Sequence, residues 1–316
     1  MTNKSDYREL CRTESMPVFM EAWWLDAVAS SDWDVTLVRK GGQIVAAMPY
    51  TKNMYRFGLV YIGQPSLTQH LGPWIRPSNA KYAKQLSREK DLMNRIIDQL
   101  PHFSSFNQNW SYRNQNWLPF YWRGYSQTTS YTYVIPDLTD LDEVFSQFQE
   151  KVRTDIRKSV GRNQITICDS SPIEELLALN KKTFSRQSLN QADSDDFISN
   201  LVAKADANKC IKWFIAKGAD NVAHAGVLIV WDKQSAYYLI GGGDPELRNS
   251  GATSLCIWEA IKFASTVTKS FDFEGSMLEP VERFVRGFGA KQMPYFSISY
   301  TPSRLLKVAK LLKGLR

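Results

Sequence analysis

Residues 222–291 change their hydrophobic period twice, and this limits what the chain can fold into. Two apolar runs, 226–231 and 236–240, are rich in β-branched and aromatic residues and flank the polar turn 232–235. That pattern predicts a hairpin. Gly241, Gly242, Gly243, Asp244 and Pro245 then read as a flexible loop. From Thr253 the period turns helical, with Ile257, Ala260, Ile261, Ala264 and Val267 on one stripe. Residues 271–275 return to alternation and predict a strand, before a short helix and a last strand.

A helix that opens behind glycine and small polar residues presents unpaired N–H groups and the positive end of its dipole, which suits phosphate. Arg248 adds a permanent cation with a planar donor fork. A plain helix start capped by Ser250 or Thr253 is the competing reading. No Gly-Lys-Ser/Thr follows, so this is no P-loop, and no dinucleotide fingerprint is present.

The order of hairpin, R-x-x-G-x-(small) loop, helix and strand resembles the GNAT acyltransferase superfamily. Arg248, Gly251 and Thr253 match its loop, with threonine where glycine or alanine is usual. Asp272, Phe273 and Gly275, followed by Phe284, Phe288 and Gly289, resemble the FemAB-like branch; Val285 stands where that branch tends to carry lysine. The resemblance implies an α/β fold with a mixed sheet, built as two tandem GNAT-like domains, the first degenerate. It implies acyl-coenzyme A as co-substrate, with the pyrophosphate on Arg248, Asn249, Ser250, Gly251, Ala252 and Thr253. Leu228, Ile229 and Val230 are expected to offer backbone to the acyl and pantetheine groups.

The rest of the chain agrees with two domains. The fragment LVRKGGQIVAA at 37–47 resembles FIAKGADNVAHA at 214–225, each a strand, turn and strand. The first domain is placed at 1–136 without a cofactor loop, the second at 137–302, and a basic amphipathic tail at 303–316. A helix is expected over 17–29, opening at proline, a strand over 57–62, and one helix capped around Thr139 or Asp140 whose stripe runs from Leu141 to Ile156. Near that helix's end Arg153, Arg157 and Lys158, with Arg283 further on, are candidates for an anionic substrate, against the plainer reading of a solvated basic face.

Acyl transfer needs an aligned amine, a base for its proton and stabilisation of an oxyanion. Asp272 and Glu274 share a face by period two, and Glu274 is the expected base on reach. His224 is an alternative base, and Tyr237 and Tyr238 are candidate proton donors to the leaving thiolate. Salt bridges from the carboxylates to Arg283 and Arg286 are the structural alternative. Gly226, inside an apolar run, marks either a bulge or a tight packing spot.

Four scattered cysteines and three histidines give no metal-ligand spacing, so no metal is expected. The net charge of +7 favours phosphate-bearing partners without implying nucleic acid. No apolar run reaches a membrane span, and residues 1–10 lack a signal-peptide core, which predicts a cytoplasmic protein. The tail's lysines suit weak contact with the inner membrane face. The expected reaction is N-acylation of an amine on an amino sugar or cell-envelope precursor. The alternatives are an aminoacyl-tRNA-dependent ligase, with tRNA as partner, and an inactive binding protein of the same fold.

Overall fold

The computed structural model describes residues 2–186, 193–275, 277–303 and 306–307. Contacts divide it into two compact units, residues 1–130 with 294–316, and residues 131–293. The C-terminal strand therefore returns to the first unit. The polar loop over 185–196 and the tail over 303–316 fall largely outside the described residues. Among the described residues no helix is long and apolar enough to cross a membrane.

In the first unit, α1 (Asn3–Thr13) and α2 (Ala22–Ala29) precede the hairpin of β1 (Trp33–Lys40) and β2 (Gln43–Met54). The helix expected from Pro17 is split: a short 3-10 turn over Val18–Met20 comes first. Next come β3 (Val60–Gly63), β4 (Trp74–Ile75), α3 (Tyr82–Gln99), β5 (Ser105–Asn109) and α4 (Leu118–Trp122). The strand expected from Phe57 begins only at Val60, because Arg56–Gly58 forms a tight turn with Phe57 at φ 64°. Trp33, Leu37, Tyr7 and Leu25 form one apolar cluster, and Ile96, Phe106, Trp110 and Ile298 another.

β6 (Ser126–Ile135) leads into the second unit, where α5 (Leu141–Ser146) and α6 (Glu150–Gly161) replace the single helix expected from Asp140. Asp140 caps α5 by accepting from the Asp142 and Glu143 N–H groups, both at 3.0 Å. The break at 147–149 lets the Gln149 N–H donate to the Gly287 carbonyl. There follow β7 (Thr166–Cys168), α7 (Ile173–Arg186), α8 (Asp195–Ala207), β8 (Ile211–Lys217), β9 (Ala223–Trp231), β10 (Ser235–Gly243), α9 (Ala252–Ala264), β11 (Ser270–Asp272), α10 (Glu279–Arg286) and β12 (Lys291–Tyr300).

Within this unit the strands run β6-β11-β10-β9-β8-β7, antiparallel except for β10 beside β11. Alternation assigns the faces. Phe214, Ala216, Ala225, Val227 and Ile229 join Cys256, Ile257, Ala260 and Ile261 of α9 in one buried cluster. Gly226 faces the other way, against α7. It takes no bulge; a Cβ there would stand 2.7 Å from both Ile215 Cδ1 and Leu176 Cδ1.

Gly241, Gly242 and Gly243 are strand, not loop. At Gly242 a Cβ would overlap the α7 backbone at Leu179 and Asn180, and at Gly241 it would overlap the Tyr238 ring. The glycines are required by close approach, not by chain flexibility. Gly242→Ala is expected to lower stability by about 1–3 kcal/mol, because the α7 backbone must move. Gly161→Ala, at the open end of α6 where nothing lies within 4 Å, is expected to be neutral or slightly stabilising. Urea unfolding midpoints of the two variants check the contrast.

Candidate functional site

The second unit opens where β10 and β11 part. They pair only at Ser235–Ser270, Ala236–Phe271 and Tyr237–Asp272, after which β10 continues to Gly243 while β11 stops. Leu239 is the extra residue of a β-bulge, since Tyr238 faces Ile229 and Ile240 faces Leu228. The bulge exchanges the faces of β10, so Tyr238, Gly241 and Gly243 all lie on the α9 side. The open backbone thus belongs to β10. Leu228, Ile229 and Val230, expected to offer it, are fully buried in β9 and pair with β8 on one edge and β10 on the other.

Two α7 side chains that sequence reading did not single out reach the end of β10. Asn180 Nδ2 donates to the Gly241 carbonyl at 2.8 Å, and Thr183 Oγ1 accepts from the Gly243 N–H at 3.0 Å. Their only sequence signal is polarity within an otherwise apolar helical stripe. Lys182 pairs with Asp244 at 2.6 Å, just past the strand.

Arg248, Asn249 and Ser250 form a single 3-10 turn, with Arg248 and Asn249 exposed. Gly251 adopts φ 78° and lies against the Asp155 carbonyl of α6, so neither a Cβ nor a usual backbone angle fits there. Ala252 is buried, and Thr253 Oγ1 faces Gly243. The N-cap position is Gly251, which has no side chain to cap α9; Ser250 Oγ accepts from the Ala252 N–H at a long 3.4 Å, and Thr253 does not act as a cap. Apart from that one long contact, no side chain caps the start of α9, and an anion at the positive end of the dipole could take its place.

The carboxylates depart from simple alternation. β11 ends at Asp272, and Glu274 takes φ 57°, so the two do not share a regular strand face. Asp272 is buried; it accepts from the Thr132 hydroxyl and, at 2.8 Å, from the Glu274 N–H. Gly275 at φ 55° carries the chain past the Tyr131 carbonyl. Glu274 keeps some residue surface exposed, yet its Oε1 is buried. Burial first, then the nearby Asp272 carboxylate, pushes its pKa well above the ordinary 4.5. Arg286 pairs with Glu282 at 2.9 Å, and Glu282 also accepts from Tyr133 at 2.6 Å. The alternative of salt bridges to Asp272 and Glu274 thus loses Arg286 to Glu282.

Tyr238 packs on the α9 cluster with its hydroxyl over Gly241, and burial raises its pKa. Tyr237 faces the other way, and its hydroxyl donates to Asp232 at 3.2 Å in the hairpin turn. His224 sits near the start of β9 beside Gly218, where its carbonyl accepts from the Asp244 N–H at 2.8 Å, with Nδ1 buried and no hydrogen-bond partner among the described residues. The basic group disperses. Arg153 donates to the Ser146 carbonyl at 2.8 Å and to Glu150 at 2.6 Å, Arg157 lies 3.5 Å from Glu150, and Lys158 and Arg283 are exposed. Val285, at the family's lysine position, is core.

A separate cavity of about 370 Å³ lies against β6 and α5, lined by Asp137, Asp140, Glu143, Gln147 and Lys291 among others. Its carboxylates have structural duties: Asp140 caps α5 and Asp137 accepts from the Thr139 N–H at 2.9 Å. Among the described residues no His, Cys, Asp or Glu cluster could hold a metal ion.

Residues 146–276 match the family model of the acetyltransferase (GNAT) domain. The second unit carries a GNAT domain. FemX matches at 12% identity and TM-score 0.66, over 94% of this chain and 96% of that one. The C-terminal domain (DUF2156) of a putative lysylphosphatidylglycerol synthetase from Agrobacterium fabrum matches at 12% identity and TM-score 0.58, over 98% and 95%. A tandem GNAT protein of the clavulanic acid pathway matches at 9% identity and TM-score 0.53, over 94% of each chain. At such identities these likenesses speak to the fold. No curated protein sequence matches. The resemblance to the GNAT superfamily, read from Arg248 and Gly251, agrees with that family model, and the mixed α/β fold is shared with FemX and the tandem GNAT protein.

The raised Glu274 pKa has a consequence for stability. Its folded value lies above its unfolded one, so folding favours the protonated form. The associated stability is complete below about 4.5 and is lost as pH rises through the folded value. Glu274→Gln is therefore expected to unfold at a higher temperature than the parent at neutral and alkaline pH. Below pH ~4 the difference narrows. Thermal unfolding across that range, followed by circular dichroism, checks the sign.

Proposed function

We propose that this protein transfers an acyl group from acyl-coenzyme A to an amine on a small acceptor, an amino sugar or another cell-envelope precursor, in the cytoplasm. The parting of β10 and β11 beside the glycine-led start of α9 carries the reading. Asn249, Ser250, Gly251, Ala252 and Thr253 wrap the pyrophosphate; the Ser250 and Ala252 N–H groups exchange the Leu247 carbonyl and Ser250 Oγ, 3.0 and 3.4 Å away, for phosphate oxygens, and the exposed Arg248 supplies the cation. The coenzyme supplies an already activated thioester. The Tyr238 hydroxyl, kept protonated by burial, donates to the leaving thiolate. Glu274, once ionised, takes the proton of the amine, and Asp272 with Thr132 fixes the turn that carries it. Arg153 and Arg157 are largely spent on Glu150, which leaves Lys158 and Arg283 as the stronger candidates for an anionic acceptor.

A second reading keeps the site and changes the donor to an aminoacyl-tRNA. It is favoured by the likeness to FemX over 94% of the chain. The two readings part on one measurement. Acetyl-coenzyme A at millimolar concentration is expected to raise the unfolding temperature. Arg248→Ala is expected to weaken its binding by about 1–3 kcal/mol, since the backbone donors remain. No shift with the coenzyme, together with aminoacyl transfer from charged tRNA, would transfer the assignment to the ligase.

Glu274→Gln is expected to lower turnover ~10²–10⁴-fold with coenzyme affinity little changed. The parent rate should rise with pH through a value above the ordinary carboxylate range, and the variant should lose that limb. An active variant with an unchanged profile reassigns the base to Asp272, His224 or water.

A further inference from the structure

The turn between β2 and β3 in the first unit exposes apolar side chains that a packed protein ordinarily buries. Phe57 is 93% exposed and Met54 77%, with Tyr55 also exposed between Met54 and Arg56. The Tyr55 N–H donates to the Leu59 carbonyl at 2.9 Å and closes the turn, and the Tyr55 ring stands edge-on to Tyr61 at 4.8 Å. Phe57 at φ 64° and Gly58 at φ 69° are both left-handed, a geometry that a bulky side chain adopts at a cost. No neighbouring packing explains that cost: nothing lies within 4 Å of the Cβ direction of Gly58.

Within the turn the charge has one sign, with the exposed Asp32 beside Lys52, whose N–H donates to the Asp32 carbonyl at 2.7 Å, as the acidic neighbour across the hairpin. Lys52 and Arg56 are exposed beside the tip, and the chain carries no aspartate or glutamate between Asp34 and Glu89. A tip of one phenylalanine, one methionine and a tyrosine pair, carrying the two cations Lys52 and Arg56, fits an interface that is apolar within and anionic at its surface. A folded partner would need a matching acidic pocket, whereas a lipid headgroup layer meets both demands at once.

We propose that the β2–β3 tip docks this protein on anionic lipid bilayers, with Phe57 and Met54 entering the headgroup–acyl boundary and Lys52 and Arg56 pairing with lipid phosphates. The site is separate from the acyl-transfer residues and does not rest on the identity of the donor. Attachment is weak and salt-sensitive, because two cations and a small apolar tip are all that hold it.

Co-sedimentation of the full chain with phosphatidylglycerol–phosphatidylcholine vesicles at low salt tests it, with pure phosphatidylcholine as the control. The parent should pellet with the anionic vesicles only. Phe57→Gly combined with Met54→Ser, and separately Lys52→Gln with Arg56→Gln, should each lower the bound fraction roughly tenfold. Phe57→Gly suits the left-handed backbone, so its unfolding temperature should not fall, which separates lost docking from lost folding. Absence of pelleting overturns the proposal, as does undiminished pelleting of the Phe57→Gly, Met54→Ser variant. Loss only on Lys307→Gln, Lys310→Gln and Lys313→Gln assigns docking to the C-terminal segment instead. Self-association of the parent in solution, abolished by Phe57→Gly with Met54→Ser, makes the tip a contact between copies and equally overturns it.

Discussion

The second unit depends on how closely α7 approaches β10. A helix can lie on a strand at backbone contact only where the strand has no side chain on that face, and Gly242 supplies the gap. The approach brings Asn180 and Thr183 onto the polar backbone of Gly241 and Gly243 beyond the point where β11 stops pairing. Those groups need partners once the ladder ends, since unpaired buried backbone is expensive. The strand pair can therefore part without leaving the end of β10 orphaned.

The bulge at Leu239 completes the arrangement. Without it Tyr238 and Gly241 would lie on opposite faces; with it the tyrosine ring fills the space above the glycine. The same face carries Gly243 against Thr253, so strand end and helix start meet. At Gly251 a second close approach, to the Asp155 carbonyl, holds α6 against the helix start. Glycine thus acts at both ends of the site through what it omits.

Charge is divided between two environments. Glu274 is enclosed, where burial and the nearby Asp272 carboxylate favour its proton, while Arg248, Lys158 and Arg283 remain in solvent. Under the proposed reaction, a carboxyl that keeps its proton until the pH rises is matched to an amine that is itself neutral only toward alkaline pH. Solvated cations cost little to keep and attract phosphate or carboxylate without a fixed partner.

The sequence by itself determined the strand–helix–strand order of residues 222–291, the Arg248–Thr253 loop and the apolar stripe of α9, because periodicity and turn chemistry are local. It also showed the two hairpins over 37–47 and 214–225, each now seen with a register irregularity beside its turn. Tertiary structure alone decided which strand edge is open, since that depends on where β10 and β11 stop pairing and on the β8 and β10 partners of Leu228, none of which is local in sequence. It decided that three consecutive glycines form a strand, because the α7 backbone that demands them lies some sixty residues earlier in the chain. It likewise broke the alternation after Asp272: period two holds only while a ladder continues, and a left-handed Glu274 is set by Thr132 and the Tyr131 carbonyl, contacts no local pattern encodes.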